Sequence, residues 1–354
     1  MMLDQRYKND RKPLLKLNPI QERMKKKIEN KIKNGSYHFE EVDCVLCKKR
    51  NFKLLAEKDR YGLFVPTVIC KSCGLVYTNP RMDEQSNFSF YDNEYRKLYN
   101  GMGFPTDDFF NDQEDRGLDI IEYIEKKTGL HFRNKFVVEI GTGAGGILNA
   151  FKNNGNNVLG LDLGSEYINY GKKRGLNLIQ DTIKYLGKLE TRPDLVIYCH
   201  VLEHLSNPIE ELTELKKYLK KSSYLYIEVP GILNLQQSYN QDFLLYLQNA
   251  HLYHFTLRSL LNVMHKSGYR LISGNEKIKA IFMPSNSYTV ISNEFDNTYQ
   301  FLIDLEKERK RFFSLHRIKI TFKSLMFQVS KTLNIPKILN RNVRRKLSKF
   351  FFRS

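Results

Sequence analysis

The middle of the chain is a series of short apolar runs separated by longer segments in which apolar residues recur every three or four positions. The runs KFVVEI (residues 135–140), NVLGLD (157–162) and DLVIYCH (194–200) are rich in β-branched and aliphatic residues and predict buried strands. The segments NDQEDRGLDIIEYIEKKTG (111–129) and IEELTELKKYLKK (209–221) have the apolar spacing of amphipathic helices. This alternation predicts a parallel sheet with helices on both faces.

The same alternation continues along the chain. It predicts further helices at residues 146–155 and 165–175, and further strands at 176–180, 224–230, 270–276 and 280–285. The stretch NGMGFP (100–105) predicts a linker, because two glycines and a proline interrupt any regular period. We therefore expect four regions: a basic arm at 1–36, a cysteine-containing module at 37–100, the sheet domain at 101–300 and a helical tail at 301–354.

Charge is distributed very unevenly along the chain. The net charge is +18, but residues 309–354 hold 14 Lys and Arg and no acid, which gives +14. Residues 1–36 hold 11 basic and 4 acidic residues, which gives +7, and the body at 37–308 therefore carries −3. A slightly acidic body with basic ends argues against a nucleic-acid channel through the sheet domain. No apolar run approaches the roughly 18 residues of a membrane span, and no secretion signal is evident, so we expect a cytoplasmic protein.

Four of the five cysteines form two pairs, CVLC and CKSC, with 22 residues between them. This is the spacing of a structural zinc ribbon, in which two tight turns complete one tetrahedral thiolate site. Two disulfides are the alternative, but they are disfavoured in a reducing compartment. The predicted zinc ligands are Cys44, Cys47, Cys70 and Cys73. Four thiolates leave no open coordination position, so the site is expected to be structural.

A glycine-rich turn follows the first strand of the sheet domain. VVEIGTGAGG (137–146) places four glycines between a strand and a helix, where the backbone can approach a ligand and the helix offers its N-terminal amides. The stretch satisfies G-x-G-x-x-G, typical of nicotinamide and flavin sites, and also E-x-G-x-G-x-G through Glu139. An acid at that position can take an ammonium group, which a dinucleotide lacks. A tight turn that binds no ligand is the remaining alternative.

Two further acids end or follow the next strands. Asp162 ends the second strand, where a carboxylate can bind both hydroxyls of a ribose, and Asp181 follows the third strand, where it is placed to meet an adenine amino group. An ammonium, a ribose and an adenine are the recognisable parts of S-adenosylmethionine. In these features the chain resembles the class I S-adenosylmethionine-dependent methyltransferases.

More narrowly, the chain looks like the branch with an N-terminal zinc-binding module that is frequent among bacterial sugar and small-molecule methyltransferases. The resemblance covers about residues 44–275 and is carried by CVLC, CKSCGLVYTNPR, VVEIGTGAGG, GLD (160–162), DLVIYCHVLEHLSNP and HLYHFTLRSLLNVMHKSGY (251–269). It implies a Rossmann-like α/β sheet with helices on both faces, an N-terminal zinc ribbon, and S-adenosylmethionine as cofactor. Zinc-containing sugar C-methyltransferases also carry a third domain after the catalytic one, whereas this chain has a short basic tail, so oxygen or nitrogen acceptors are expected.

The resemblance also implies the site residues. The cofactor-binding residues that it implies are Glu139, Gly141, Thr142, Gly143, Gly145, Asp162, Asp181 and His200. Methyl transfer from a sulfonium needs an aligned acceptor and, for a hydroxyl, a base. A histidine is the natural base, because its ordinary pKa lies near neutrality. His204 and His251 are the candidates, with capping or packing as the alternative role for each.

HVLEH (200–204) also matches the His-x-x-Glu-His pattern of an inverted zinc-protease helix. Such a site needs a helix of several turns, with both histidines on one face. Here the pentapeptide follows a buried strand, and Asn207 and Pro208 come within one turn of His204. We therefore expect that His200 and His204 do not share a helical face, and we assign the metal to the cysteines.

The basic tail predicts two amphipathic helices separated by Pro336, with Leu315, Ile318 and Phe322 beginning the first apolar stripe. Basic helices with Phe on the apolar face commonly lie on anionic membranes, so residues 309–354 are a candidate contact with the inner membrane face. Packing on the body and nucleic-acid binding are the alternatives. The leading interpretation is methylation of a small, sugar-containing acceptor; an RNA methyltransferase and a non-catalytic zinc-ribbon binding protein remain alternatives.

Overall fold

The computed structural model describes residues 2–102, 104–286 and 292–311. The helices are α1 (Pro19–Lys33), α2 (Glu84–Phe90), α3 (Arg96–Asn100), α4 (Asp107–Thr128), α5 (Gly146–Asn153), α6 (Ser165–Lys172), α7 (Pro208–Lys217), α8 (Phe243–Tyr246), α9 (Leu257–Lys266) and α10 (Phe295–Lys310). The strands are β1 (Phe39–Glu40), β2 (Phe52–Lys58), β3 (Phe64–Cys70), β4 (Val76–Thr78), β5 (Arg81–Met82), β6 (Phe136–Ile140), β7 (Asn157–Asp162), β8 (Leu178–Gln180), β9 (Leu195–Cys199), β10 (Tyr224–Glu228), β11 (Tyr253–His254), β12 (Tyr269–Ser273) and β13 (Lys279–Pro284).

A seven-stranded sheet in the order β12-β13-β10-β9-β6-β7-β8 forms the centre of the molecule. Strands β10, β9, β6, β7 and β8 are parallel, and β13 runs antiparallel between β10 and β12. Val138 on β6 faces Val196 and Leu159 on its two neighbours, and all three are buried, as expected when helices cover both faces. The predicted Rossmann-like α/β fold is confirmed, but the sheet is not wholly parallel as predicted, since β13 is antiparallel to both of its neighbours.

Helix α4 begins at Asp107, four residues before the predicted start, because Thr106 caps it by accepting a hydrogen bond from the Phe109 amide. It crosses α5 closely at Gly117, where an added Cβ would lie 2.7 Å from both Ala150 Cβ and the Ile147 carbonyl oxygen. This glycine in a helix interior is therefore explained by close helix packing. The contact fixes α5, whose first residues follow the glycine-rich turn.

A second, four-stranded sheet in the order β11-β4-β3-β2 belongs to the cysteine module. Its strand β11 comes from a distant part of the sequence: Tyr253 pairs with Tyr77, and His254 pairs with Val76. The loop that carries the candidate His251 is thus built into the module sheet. The proposed domain limits at residues 37, 101 and 301 remain predictions, but this sheet joins the module to the catalytic region.

The N-terminal arm packs on the helices that precede the linker. Gln21 on α1 donates to the Leu98 carbonyl, and Lys27 and Lys31 pair with the buried carboxylate of Glu94 at 2.8 and 3.0 Å. Residues 91–95, between α2 and α3, form a π-helical turn, a feature often found at functional sites. Helix α1 therefore supports the segment from which several site residues project.

The predicted tail helices fall at residues 312–354, which lie outside the described part of the chain. Within the described part, helix α10 occupies the start of the region assigned to the tail, and its Glu306 accepts a hydrogen bond from the buried Tyr7 hydroxyl. Among the helices of residues 2–102, 104–286 and 292–311, none has the length and apolar character to cross a membrane.

Candidate functional site

The four cysteines predicted as zinc ligands lie together. Their Sγ atoms are all within 4.8 Å of one another, with 3.5 Å between Cys44 and Cys73 and 3.4 Å between Cys47 and Cys70. A disulfide needs about 2.05 Å between its sulfurs, whereas the edges of a tetrahedral zinc–thiolate site measure about 3.8 Å. The donors therefore fit zinc and do not form disulfides. Four thiolates would close the coordination sphere, so zinc would hold the module together without entering the reaction.

The turn after β6 is shaped to admit a ligand. Gly141, Gly143 and Gly145 have φ values of 68°, 55° and 80°, a region that glycine adopts readily. An added Cβ on Gly141 would lie 2.4 Å from the Val201 side chain, so that face of the turn is covered. On Gly143 it would meet nothing closer than 3.8 Å. The backbone of Gly143 is therefore open to a ligand.

Glu139 stands at the end of β6 beside this turn and is only 2% exposed. Thr142 Oγ1 donates to its carboxylate at 2.7 Å, so Thr142, predicted as a cofactor-binding residue, orients this acid. Burial raises the pKa of Glu139 to about 8, the Thr142 hydrogen bond opposes the rise, and the charge of Arg116 opposes it further. An ammonium group in this place would stabilise the ionised carboxylate.

Asp162 ends β7 and faces the same turn. Its carboxylate accepts hydrogen bonds from the amides of Gly143 at 2.8 Å and Gly164 at 2.7 Å. Arg96 on α3 lies 3.3 Å from Asp162 Oδ1 and stacks over the Tyr167 ring at 3.7 Å. An arginine from the cysteine module thus reaches the predicted ribose-binding acid, a contact that no motif around residue 96 had indicated.

Asp181 and His200 occupy less central positions. Asp181 follows β8, next to Gln180, which pairs with Asp162; its carboxylate accepts hydrogen bonds from the Thr182 amide at 2.7 Å and from Lys188 at 3.5 Å. His200 follows β9 in a left-handed backbone conformation with φ 56°, which is strained for a histidine and points to a functional constraint. Its Nδ1 lies 3.3 Å from Glu203 Oε1, so His200 connects the carboxyl end of β9 to this acid.

The two candidate bases lie beside a buried acid. Glu203 is 1% exposed, and its Oε1 lies 3.9 Å from Nε2 of both His204 and His251. The two imidazole rings are 4.8 Å apart. Burial lowers the pKa of His204 and holds that of His251 well below its ordinary value. We call Glu203, His204 and His251 the histidine cluster. Glu203 lies within the HVLEH stretch, but the sequence did not single it out as a site residue.

The ring of His204 is held in a defined orientation. Its Nδ1 lies 2.8 Å from the Ala250 carbonyl oxygen and 2.7 Å from the Tyr91 hydroxyl, which itself donates to Ala250. A carbonyl oxygen only accepts, so Nδ1 carries the proton and Nε2, 3.9 Å from Glu203 Oε1, keeps a free lone pair. Tyr91 belongs to the π-helical turn, and sequence reasoning had missed it because one tyrosine in an aromatic-rich segment gives no signal.

The pentapeptide HVLEH behaves as the sequence predicts. Residues 202–204 form one short 3-10 turn and His200 precedes it, so the two histidines share no helical face. Val201 fills the space above Gly141, which places the histidine cluster directly beside the glycine turn. The backbone of Leu252 donates to the Glu203 carbonyl, and Thr78 Oγ1 donates to the His251 carbonyl at 3.1 Å. The cysteine module therefore helps to position His251.

The chain is similar to known methyltransferases. Several solved structures resemble it at low identity: magnesium protoporphyrin IX methyltransferase from Synechocystis with bound S-adenosylhomocysteine (14% identity, 57% of this chain and 100% of that chain, TM-score 0.40), an S-adenosylmethionine-dependent methyltransferase from Clostridium acetobutylicum (11%, 58% and 100%, 0.38), and the plantazolicin methyltransferase BamL (17%, 63% and 85%, 0.42). These TM-scores are too low to support any conclusion about the acceptor. Among curated proteins, no sequence matches the chain significantly.

A family model gives the more specific result. Residues 112–273 match a model described as a methyltransferase domain, and this segment runs from α4 through β12 and contains both the glycine turn and the histidine cluster. The prediction that the chain is a methyltransferase enzyme is confirmed. Residues 112–273, which hold the candidate site, are therefore the part of the chain that is similar to a methyltransferase domain.

Proposed function

We propose that the protein transfers the methyl group of S-adenosylmethionine to an oxygen or nitrogen atom of a small, sugar-containing acceptor. The proposal is supported above all by the contact between Val201 and Gly141. Through this contact, the glycine turn with the two acids expected to bind the cofactor, Glu139 and Asp162, adjoins the histidine cluster, which can accept a proton. Glu139 would take the ammonium group of the methionine part and Asp162 the ribose hydroxyls.

Arg116 adds a positive charge at the carboxyl ends of the parallel strands, where Glu139 and Asp162 also lie. Its guanidinium lies 3.5 Å from Cys199 Sγ and 3.9 Å from Glu228, at the carboxyl ends of β9 and β10. A cation here and an anion at Glu139 complement the carboxylate and the ammonium of an amino acid. A dinucleotide offers no such pair, so this arrangement favours S-adenosylmethionine over a nicotinamide or flavin cofactor.

The reaction is an in-line displacement. The acceptor oxygen or nitrogen forms a bond to the methyl carbon as the carbon–sulfur bond breaks, and the sulfur keeps the electron pair to give neutral S-adenosylhomocysteine. The acceptor proton passes to an imidazole, with His204 Nε2 as the first candidate because its lone pair is free. Burial keeps both imidazoles of the cluster neutral near pH 7, which is the protonation state that a base requires.

A sugar-containing acceptor is proposed because the walls around His204 are aromatic and polar. The ring centre of Tyr95 lies 4.7 Å from that of Tyr91 and 4.8 Å from that of Tyr99, so the three rings form a row. Tyr91 and Tyr95 both contact the ring of His204. Tyrosine faces pack against sugar rings while their hydroxyls bond to them. A lipid-linked acceptor at the inner membrane face would also give the basic tail a role. RNA is less favoured, because the body of the chain carries −3.

The test is transfer of labelled methyl from S-adenosylmethionine to a panel of nucleotide sugars, lipid-linked sugars, free amines and RNA. We expect label in a sugar-containing compound with the full chain and less than about 1% of that rate with His204→Asn, since a base contributes roughly 100-fold or more. The matched control is His265→Asn on the outer face of α9. Label in RNA alone would contradict the proposed acceptor, and no transfer to any compound would contradict the activity.

A further inference from the structure

We infer that Glu203, His204 and His251 form a second metal site, which binds a divalent transition ion such as Zn²⁺ and is separate from the four cysteines. The three residues offer one carboxylate and two imidazole donors, whose ligand atoms all lie within 4.8 Å of one another. Two histidines and a glutamate are the donor set of several catalytic zinc sites, whereas Mg²⁺ and Ca²⁺ prefer oxygen donors.

The distances are those of a site that closes slightly when the ion enters. Glu203 Oε1 lies 3.9 Å from His204 Nε2 and 3.9 Å from His251 Nε2. For bonds of about 2.1 Å, tetrahedral geometry places neighbouring donor atoms about 3.4 Å apart. The two carboxylate–imidazole distances would shorten by about half an ångström, and the two imidazole donors, which lie within 4.8 Å of each other, would approach by up to about 1.4 Å, movements that side-chain torsions can supply.

The charge of Glu203 provides an independent argument. Its side chain is 1% exposed, and its Oε2 has no hydrogen-bond partner within the described structure. Among the described residues, no Lys or Arg nitrogen lies within 4.0 Å of this carboxylate, whose close neighbours are the imidazoles of His200, His204 and His251. A buried carboxylate without a cation is costly, and a divalent ion would compensate its charge.

His204 is prepared for metal binding by its second nitrogen. Its Nδ1 proton is held by the Ala250 carbonyl at 2.8 Å, which fixes the ring and leaves Nε2 as the donor. A backbone carbonyl on the outer nitrogen is the usual support of a ligating histidine. Gln248 competes with the ion for His251 Nε2, because its own Nε2 lies 2.5 Å from that atom. The Gln248 side chain therefore has to turn away when the ion binds.

The role of this ion rests on the proposed function. Three protein donors leave a coordination position open, and an acceptor hydroxyl placed there would become more acidic. With the ion bound, the two imidazoles would hold it and the acceptor proton would pass to water; in the chain without this ion, His204 acts as the base proposed above. Because ion binding is measured without an acceptor, it is tested separately from methyl transfer.

The experiment measures the metal content of the full chain after saturation with Zn²⁺ and removal of loosely bound ions by gel filtration. We expect two ions per chain for the wild type and for His254→Gln, a buried histidine in the same loop outside the cluster. We expect one ion for Glu203→Gln and for His251→Gln. Folding of each variant is checked by its thermal transition, and Gln248→Leu is expected to bind the second ion at least as tightly as the wild type.

Cobalt(II) gives a second measurement that distinguishes the two sites. Cobalt bound by the cysteines shows sulfur-to-metal charge transfer, whereas cobalt in the histidine cluster shows only weak ligand-field bands. The ligand-field bands of cobalt in the histidine cluster should disappear in Glu203→Gln, while the charge-transfer bands of the cysteine-bound cobalt persist. One ion per chain in the wild type, or two in both Glu203→Gln and His251→Gln, would overturn the inference.

Discussion

Replacing Glu139 by Gln is expected to weaken cofactor binding and to stabilise the fold at the same time. Its carboxyl is buried with a pKa of about 8, against an ordinary value of 4.5, because burial disfavours the charge. At pH 7 the folded apo-protein therefore keeps this carboxyl protonated. The ammonium of S-adenosylmethionine would lower the pKa of Glu139, so that binding ionises it and releases a proton.

The magnitude follows from that pKa. One pKa unit corresponds to about 1.4 kcal/mol, so ionising the carboxyl at pH 7 costs about 1.4 kcal/mol of binding free energy. Below pH 8, affinity should rise about tenfold for each unit of pH, and binding at pH 7 should release close to one proton. Calorimetry in buffers of different ionisation enthalpy measures the release. Glu139→Gln should bind at least tenfold more weakly, with no proton release.

The stability effect has the opposite sign. A carboxyl whose pKa is higher in the folded than in the unfolded chain destabilises the fold once pH exceeds the unfolded value, and the loss grows until pH passes the folded value. Between pH 4.5 and 7 this amounts to about 3 kcal/mol, which Glu139→Gln should recover as a higher unfolding temperature at pH 7. The matched control is Glu211→Gln, at a half-buried acid on α7 that accepts a hydrogen bond from Tyr198. Unchanged affinity and proton release in Glu139→Gln would refute the reasoning.

Three further predictions concern other parts of the molecule. Cys73→Ser should remove zinc and lower the free energy of unfolding by about 4 kcal/mol or more, which metal analysis and thermal unfolding measure. It should also abolish methyl transfer in the transfer assay, because β4 supports the His251 loop. Arg96→Ala should tighten S-adenosylmethionine binding by up to about fivefold, since the guanidinium competes with ribose for Asp162; weaker binding would show instead that Arg96 contacts the cofactor. Removal of residues 312–354 should abolish sedimentation with anionic vesicles and leave cofactor affinity unchanged; retained sedimentation would contradict the membrane role of the tail.

The sequence was sufficient for the elements whose residues carry a local pattern. Each predicted strand of the central sheet is present, because β-branched runs such as residues 136–140 are buried on both faces and have no other stable arrangement. The four cysteines came together as their spacing indicated. That His200 and His204 share no helical face followed from the strand before HVLEH and the proline after it.

The remaining features depend on contacts between distant segments, which no local pattern records. Arg96 reaches Asp162 across 66 positions of the chain, and Tyr91 reaches His204 across 113. The pairing of β11 with β4 joins the His251 loop to the cysteine module, although both strands are too short to predict. Glu203 became a candidate only when its burial, and the absence of a Lys or Arg partner among the described residues, were known.

Equilibrium binding of labelled S-adenosylmethionine to the purified full chain tests the central claim most directly. The account predicts saturable binding by the wild type, and at least about tenfold weaker binding by Asp162→Asn, since hydrogen bonds to a charged group contribute about 1.5–3 kcal/mol. Glu211→Gln should bind as the wild type does. Failure of the wild type to bind at millimolar concentration, or equal binding by Asp162→Asn, would contradict the account.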